Sequence, residues 1–215
     1  MEKLVISNRF QTSFIDYPSI NKSAIVYYVY GCDFKCPGCQ NVELQDKSNY
    51  DESKVKVFDT PENFLEFIVK NDIKSNRNNG LVVFQGGDPL NRRNREFILN
   101  TIRLSVERKT GLKFCIYTGF PIEGVAEIFN PINFGISRNN VINSRDMYDM
   151  FNIFDVIPYI KCGEYVKDRP NKTIGKVDGK LYLATTNQIF YKYNREKRGY
   201  EPISINGIAD LAYVD

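Results

Sequence analysis

Three cysteines close together in the chain are the residues best suited to chemistry. Cys32, Cys36 and Cys39 form a CxxxCxxC pattern in a chain that has five cysteines. Thiolates bind soft metals, and sites made only of cysteine are typical of zinc or iron–sulfur centres, which usually take four protein ligands. Because the local set stops at three, the pattern favours an iron–sulfur cluster with one position left open. A structural zinc site and cysteines that only pack in the core are the alternatives.

The chain contains no histidine. This excludes Ser-His-Asp and Cys-His nucleophilic catalysis, HExxH metalloprotease sites and zinc fingers that need a pair of histidines. Acid–base catalysis near neutral pH would need an Asp, Glu, Lys or Cys with a shifted pKa. A radical reaction carried by a cofactor needs none of these side chains, so the composition is compatible with one.

Length and charge favour one soluble domain. The chain has 215 residues with 42% hydrophobic content, which suits a single domain spanning 1–215. Its net charge of +3 gives no electrostatic argument for nucleic-acid binding. It lacks an apolar run of about 18 residues and an apolar signal segment, so we expect no membrane span. The odd number of cysteines argues for reduced thiols, and we expect a cytoplasmic protein.

The apolar pattern predicts the elements that position the cysteines. Residues 23–30, directly before the cysteine loop, are rich in Val, Ile and Tyr and are typical of a strand buried on both faces. Thr60 and Pro61 are typical of a helix start. We predict further strands at 81–85, 113–117 and 154–160, the last of them an edge strand or an interrupted one because of Pro158. We predict helices at 61–73, 94–108, 121–129 and 145–151, and turns at 76–80 and 177–180. The remaining segments are a loop at 130–144 and irregular or solvated chain at 1–22, 42–60 and 192–215.

Alternating strands and helices imply an α/β fold with a mostly parallel sheet. In such sheets, chemistry collects on the loops that follow the carboxyl ends of the strands. The cysteine loop, Gly86-Gly87-Asp88, Thr118-Gly119 and Asn187-Gln188 all follow predicted strands, so we expect them on one rim. With four or five strands the sheet cannot close as eight strands do, and we expect a partial barrel. Taken alone, Gly86-Gly87-Asp88 would be interpreted as a glycine turn capped by Asp88, but its place one strand–helix unit after the cysteine loop favours a functional motif.

The cysteine loop resembles that of the radical S-adenosylmethionine (SAM) enzymes. Within it, residues 36–41 (CPGCQN) resemble the CPGCxN form found in the activating proteins of anaerobic (class III) ribonucleotide reductase. Residues 86–90 resemble the GGDPL variant of these activases, 118–120 resemble their TGY motif, and 184–188 resemble RGSSNQ. The resemblance covers about 8–191 and leaves 192–215 as a C-terminal extension. Cys162 and Ala184 depart from it, since the family has Asp and Arg at these positions.

The resemblance implies a partial (βα) barrel and a defined set of site residues. Cys32, Cys36 and Cys39 would hold three irons of a [4Fe–4S] cluster, and SAM would bind the fourth. The cluster would cleave SAM reductively and thereby generate a glycyl radical on the reductase. The remaining cofactor contacts are expected from Gly38, Gln40, Asn41, Gly86, Gly87, Asp88, Thr118, Asn187 and Gln188.

The expected partners follow from the same resemblance. The protein substrate would be the large subunit of anaerobic ribonucleotide reductase, and an electron donor such as flavodoxin would reduce the cluster. No nucleic acid or membrane is expected. The alternatives are another small radical SAM enzyme, of the pyruvate formate-lyase-activase or deazaguanine-synthesis type, and a binding module with a four-cysteine zinc site completed by Cys115 or Cys162.

Overall fold

The computed structural model describes residues 2–19, 22–48, 50–74, 80–129 and 153–211. Two short 3-10 helices, Val42–Leu44 and Glu52–Lys54, follow the cysteine loop. The helices are α1 (Pro61–Lys74), α2 (Arg95–Glu107) and α3 (Ile122–Ile128). The strands are β1 (Leu4–Ser7), β2 (Gln11–Ser13), β3 (Ala24–Val29), β4 (Val55–Phe58), β5 (Leu81–Gly86), β6 (Lys113–Tyr117), β7 (Tyr159–Cys162), β8 (Gly175–Val177), β9 (Lys180–Tyr182), β10 (Ile189–Asn194), β11 (Gly199–Pro202), β12 (Ser204–Ile205) and β13 (Ile208–Asp210).

The main sheet has a parallel centre and antiparallel flanks. Its order is β11-β10-β7-β6-β5-β3-β1-β4, and β2 also pairs with β3. Strands β3, β5, β6 and β7 are parallel to one another, as the sequence predicts. Strands β1, β2, β4, β10 and β11 pair antiparallel with their neighbours. The sheet is therefore mixed, and the predicted partial barrel is not confirmed.

Successive side chains on the parallel strands point into two separate cores. Tyr27 and Phe84 lie in the core on the helix side, where Phe84 stacks on Phe114 at 5.5 Å between ring centroids. Val83 and Cys115 lie in the core on the opposite face. That face is covered by a second sheet of order β12-β13-β9-β8, which contributes Leu181, Leu183 and Ala209. Burial on both faces explains why the parallel strands are almost wholly apolar.

Helix α1 begins where the sequence predicts. The Thr60 hydroxyl accepts a hydrogen bond from the Asn63 amide at 3.3 Å, and Pro61 occupies the first helical position. Phe64, Leu65 and Ile68 are at most 1% exposed, so the predicted apolar face packs against the sheet. Each such side chain contributes about 1.5–3 kcal/mol to stability.

Three stretches predicted to be irregular, 1–22, 42–60 and 192–215, contain strands. Leu4, Val5 and Ile6 are at most 3% exposed, and β1 lies between β3 and β4 in the main sheet. Sequence analysis missed β1 and β4 because each strand has only four residues and polar flanks. The charged tail likewise contains β11, β12 and β13.

The prediction for the last parallel strand was partly wrong. Residues 153–156 are helical, and β7 begins at Tyr159, directly after Pro158. The strand lies between β6 and β10 and is not at an edge. Because Pro158 precedes the strand, its missing N–H removes no ladder hydrogen bond. The hairpin turn is confirmed, with Asp178 and Gly179 both at positive φ.

Other predictions lie outside the described residues: most of the turn at 76–80, the loop at 130–144 and the helix at 145–151. Within the described ranges, no helix is long and apolar enough to cross a membrane.

Candidate functional site

The cysteine loop follows β3 at the carboxyl end of the parallel strands. Gly31 takes a φ of +99°, which turns the chain out of the strand. Its amide donates to the Leu44 carbonyl at 2.7 Å, and the Cys32 amide donates to the Gln45 carbonyl at 3.0 Å. The start of the loop is therefore fastened to the segment that follows it.

Inside the loop, backbone groups face sulfur and oxygen acceptors. The Cys39 amide donates to the Cys36 carbonyl at 3.2 Å, and the Asn41 amide donates to the Cys39 sulfur at 3.4 Å. All three cysteines of the loop are partly exposed. The Cys39 side chain is thus held in place by the backbone that follows it.

The glycine pair of Gly86-Gly87-Asp88 packs against the cysteine loop. The Gly87 amide donates to the Val29 carbonyl at 2.8 Å, and the Asp88 amide donates to the Gly31 carbonyl at 2.7 Å. A Cβ on Gly87 would lie 2.4 Å from the Gly31 oxygen. The close approach that these glycines permit is thus between two backbone segments of the protein.

The Asp88 carboxylate joins the ends of β5 and β6. It is 1% exposed and accepts hydrogen bonds from the Leu90 amide at 2.8 Å and the Gly119 amide at 2.9 Å. The Thr118 hydroxyl lies 3.0 and 2.9 Å from its two oxygens. The bond to Leu90 is the turn cap that sequence analysis considered, and the bonds to Thr118 and Gly119 add a second function, which is to hold the neighbouring loop.

A buried polar network supports the loop from behind. The Asn94 side chain donates to the Tyr30 carbonyl at 2.8 Å and the Asp88 carbonyl at 3.2 Å. The Lys47 ammonium donates to the Asn94 side-chain oxygen at 3.1 Å. Sequence analysis missed this network because Asn94 was interpreted only as the start of a helix.

These segments surround one cavity of about 200 Å³. Its lining includes all three cysteines of the loop and the predicted residues Gln40, Asn41, Gly86, Gly87, Asp88, Thr118 and Gln188. Gly38 and Asn187 are not part of the lining. A Cβ on Gly38 would face Lys167, and the Asn187 amide donates to the Glu164 carbonyl at 2.9 Å. Direct cofactor contacts of these two residues stay predictions.

The side chains of Cys32, Cys36 and Cys39 fit an iron–sulfur cluster better than a single metal ion. Within the described residues, no three His, Cys, Asp or Glu side chains are placed to hold one metal ion. In an iron–sulfur cluster each thiolate binds a different iron, so the sulfurs need not converge on one point. Burial, followed by the Asp88 charge, raises the pKa of Cys32 to about 12, so metal binding at this thiol releases a proton.

A family model described as a 4Fe-4S single cluster domain matches residues 23–157. The chain belongs to this family. The matched range contains the cysteine loop, Gly86-Gly87-Asp88 and Thr118, which the structure brings together around the cavity. A search of curated proteins found no match. The protein is therefore an iron–sulfur protein with a 4Fe-4S domain.

The other two cysteines of this 4Fe-4S protein are not part of the cavity lining. Cys162 is 3% exposed and packs in the helix-side core, whereas Cys115 is 0% exposed and packs in the opposite core. Burial raises the pKa of both thiols, Cys162 to about 12, so both are neutral. A four-cysteine zinc site completed by either residue has no support in this geometry.

Sequence analysis missed several residues of the cavity. Lys161, Glu164, Tyr165 and Tyr117 contribute to its lining. The Cys36 thiol also donates to the Glu164 carboxylate at 3.8 Å. Cys162 departs from the family pattern, whereas its neighbour Lys161 points to the opposite face of the strand. Lys161 itself could have been found as the one charged residue among apolar neighbours in 156–162.

The buried Asp88 predicts a specific pH dependence of stability. Burial raises its pKa from 3.8 to about 6. Between these values the folded chain keeps a proton that the unfolded chain releases, so stability falls as the pH rises from about 4 to 6. We expect Asp88→Asn to remove up to about 3 kcal/mol of this pH-dependent loss. Thermal unfolding of both proteins between pH 4.5 and 7.5 measures it.

The control is Asp178→Asn, at an exposed turn residue whose positive φ asparagine also accepts. No histidine titrates in this pH range, because the chain has none. If the melting temperatures of wild type and Asp88→Asn changed with pH in the same way, the pH dependence could not be assigned to Asp88.

Proposed function

We propose that this protein is a radical SAM activase of anaerobic ribonucleotide reductase. The observation that carries the proposal is that motif residues from four separate segments line one cavity at the carboxyl ends of parallel strands. They are the cysteine loop, Gly86-Gly87-Asp88, Thr118 and Gln188. A CxxxCxxC pattern that had arisen by coincidence would not be expected to share a cavity with the other three motif segments.

In this proposal Cys32, Cys36 and Cys39 would hold three irons of the cluster and would leave the fourth iron open to SAM. When bound and reduced, the cluster supplies the electron that cleaves SAM to methionine and a 5′-deoxyadenosyl radical. The chain itself would bind and orient SAM, and it would exclude water from the site. The Asp88 carboxylate holds Thr118 and Gly119 at the rim, and the Asn41 side chain donates to the Gly86 carbonyl at 3.3 Å, which ties the loop to the glycine turn.

The proposed partner is the large subunit of anaerobic ribonucleotide reductase, which would receive the radical on a glycine. The CPGCQN loop and the GGDPL turn favour this partner over the pyruvate formate-lyase and deazaguanine types. An electron donor such as flavodoxin would reduce the cluster. A zinc-binding module is disfavoured, because Cys115 and Cys162 pack in separate cores.

The first test is spectroscopic. We expect the protein, reconstituted without oxygen and reduced with dithionite, to give a [4Fe–4S]⁺ EPR signal that changes shape when SAM is added. The physical reason is that SAM coordinates the open iron and alters its ligand field. The matched comparison is S-adenosylhomocysteine, which lacks the S-methyl group and the sulfonium charge, so its S–C5′ bond is not activated for reductive cleavage. A signal that is unchanged by SAM, or a colourless zinc protein, would overturn the proposal.

The partner needs a second test. The reduced protein is mixed with SAM and a candidate reductase, and the glycyl radical is sought by EPR. We expect one radical signal that depends on SAM and is absent when the target glycine of the reductase is replaced by alanine. Formation of 5′-deoxyadenosine without a glycyl radical on any candidate reductase would retain SAM cleavage and reject this partner.

A further inference from the structure

The carboxylate of Glu164 lies beside the cysteine loop at the edge of the cavity. Glu164 comes shortly after β7 and lines the cavity together with Cys36. One of its carboxylate oxygens accepts a hydrogen bond from the Cys36 thiol, with 3.8 Å between oxygen and sulfur. The fold therefore places an oxygen that can bind iron next to a sulfur that the cluster uses.

The backbone around Glu164 is held in place, although the side chain is exposed. The Asn187 side chain donates to the Glu164 carbonyl at 2.9 Å, and the Gln188 side chain donates to the Gly163 carbonyl at 3.3 Å. The Gly163 amide donates to the Phe120 carbonyl at 3.2 Å. These bonds keep Glu164 beside the cysteine loop, while its exposed carboxylate can still change its contacts.

Glu164 differs from the other two carboxylates that line the cavity. The Asp88 carboxylate is buried, and hydrogen bonds from the neighbouring loops occupy both of its oxygens. The Asp16 carboxylate accepts hydrogen bonds from two side chains of the protein. In the described parts of the chain, no lysine or arginine lies within ion-pair distance of Glu164, and its carboxylate accepts only from Cys36. Glu164 is therefore the cavity carboxylate that is available for a metal.

Binding of the cluster changes the surroundings of this carboxylate. The Cys36 thiol gives up its proton when its sulfur binds iron, so the hydrogen bond to Glu164 is lost. A thiolate and a carboxylate then lie side by side without the proton that joined them. The positive group that the cluster brings to this place is iron, for which carboxylate oxygen is a common ligand in proteins.

We propose that Glu164 binds the fourth iron of the cluster as an exchangeable ligand when SAM is absent. Valence selects this iron, because each of the other three already has a cysteine thiolate beside its sulfides. Ligation by Glu164 requires only the 4Fe-4S cluster, whereas its displacement by SAM rests on the proposed function. In that exchange the coordinate bond from the Glu164 oxygen breaks as bonds from SAM form, and no electron is transferred. The carboxylate thus retains the fourth iron until the cofactor binds.

The test measures how fast the fourth iron is lost. Cluster-loaded protein without SAM is treated anaerobically with ferricyanide and an iron chelator. Loss of one ferrous ion and one electron converts [4Fe–4S]²⁺ to [3Fe–4S]⁺, and the EPR signal of the product follows the reaction. We expect Glu164→Gln to lose this iron about tenfold faster than wild type, because even a group that supports a metal indirectly changes its affinity by that much.

Two further variants separate ligation from charge. Glu164→Asp keeps the negative charge but has a shorter side chain, so we expect it to lose iron nearly as fast as Glu164→Gln. Asp33→Asn is the matched control, because this carboxylate of the cysteine loop pairs with Arg92 at 3.6 Å and does not line the cavity. It should lose iron at the wild-type rate. Far-UV circular dichroism and iron analysis before treatment show that each variant is folded and loaded.

EPR of the reduced cluster gives a second readout. Without SAM, the spectra of wild type and Glu164→Gln should differ, because the fourth iron has a different ligand in each. With saturating SAM the two spectra should coincide, because SAM has displaced the carboxylate in the wild type.

Equal rates of iron loss in wild type and Glu164→Gln would overturn the inference. Faster loss in Asp33→Asn, or a wild-type rate in Glu164→Asp, would also overturn it, since either result assigns the effect to charge. A spectral difference that persists with SAM bound would show that Glu164 is not the ligand that SAM replaces. Wild-type spectra unchanged by SAM would reject the proposed function, whereas the rates of iron loss without SAM test Glu164 independently of it.

Discussion

Replacement of Cys32, Cys36 or Cys39 with serine is expected to abolish the cluster. Serine lacks the soft sulfur that iron needs, and a loop with two thiolates cannot hold a cluster that already lacks a fourth cysteine ligand. Iron and acid-labile sulfide should fall from about four per chain to near zero. The measurement is chemical analysis with visible absorption after anaerobic reconstitution.

The controls are Cys115→Ala and Cys162→Ala, because both thiols are buried in the cores and neither residue lines the cavity. These variants should keep full iron content, although each loses some core packing. Far-UV circular dichroism should show all five variants folded. A cluster retained in the Cys32 variant, or lost in the Cys162 variant, would reject the ligand assignment.

Gly87→Ala is expected to destabilise the fold strongly. Its Cβ would lie 2.4 Å from the Gly31 oxygen, 2.8 Å from the Gly31 carbonyl carbon and 2.9 Å from the Leu44 oxygen. All three contacts are to backbone atoms, which cannot rotate away as a side chain can. We expect a loss of about 3 kcal/mol, at the upper end for overpacking, and a melting temperature lower by about 6–12 °C. Thermal unfolding by circular dichroism measures it.

Gly124→Ala is the matched control. Gly124 lies within α3, and a Cβ there would first meet the Phe120 ring at an ordinary 3.4 Å. Alanine in a helix interior should add about 0.5–1 kcal/mol. A melting temperature of Gly87→Ala within about 2 °C of wild type would mean that the glycine turn does not pack on the cysteine loop.

The parallel centre of the sheet and the place of the site were predictable from the sequence. Residues 23–30 and 81–85 are apolar runs of strand length, and the motifs follow them directly. Because the carboxyl ends of parallel strands share one edge, the convergence of Cys32 and Asp88 on one cavity could be expected. The local apolar pattern and one general rule of sheet topology were enough to predict the parallel strands and the position of the site.

The flanking strands and the direction of the Lys161 side chain were not predictable in this way. Strand β1 is held by pairing with β3 and β4, which lie far along the chain, and its own four residues carry little signal. For Lys161, the direction of the side chain depends on the register of β7, which is set by pairing with β6 (Tyr117 opposite Lys161). A shift of one residue would have turned Cys162 towards the cavity and Lys161 into the core.

The fastening of the cysteine loop has a consequence for the order of assembly. The hydrogen bonds at Gly31, Cys32, Gly87 and Asp88 join backbone atoms, so they form without iron. Zinc fingers, by contrast, fold only when their metal binds. We therefore expect folding to precede cluster insertion in this protein, and we expect the scaffold to stay folded when the iron is lost by oxidation.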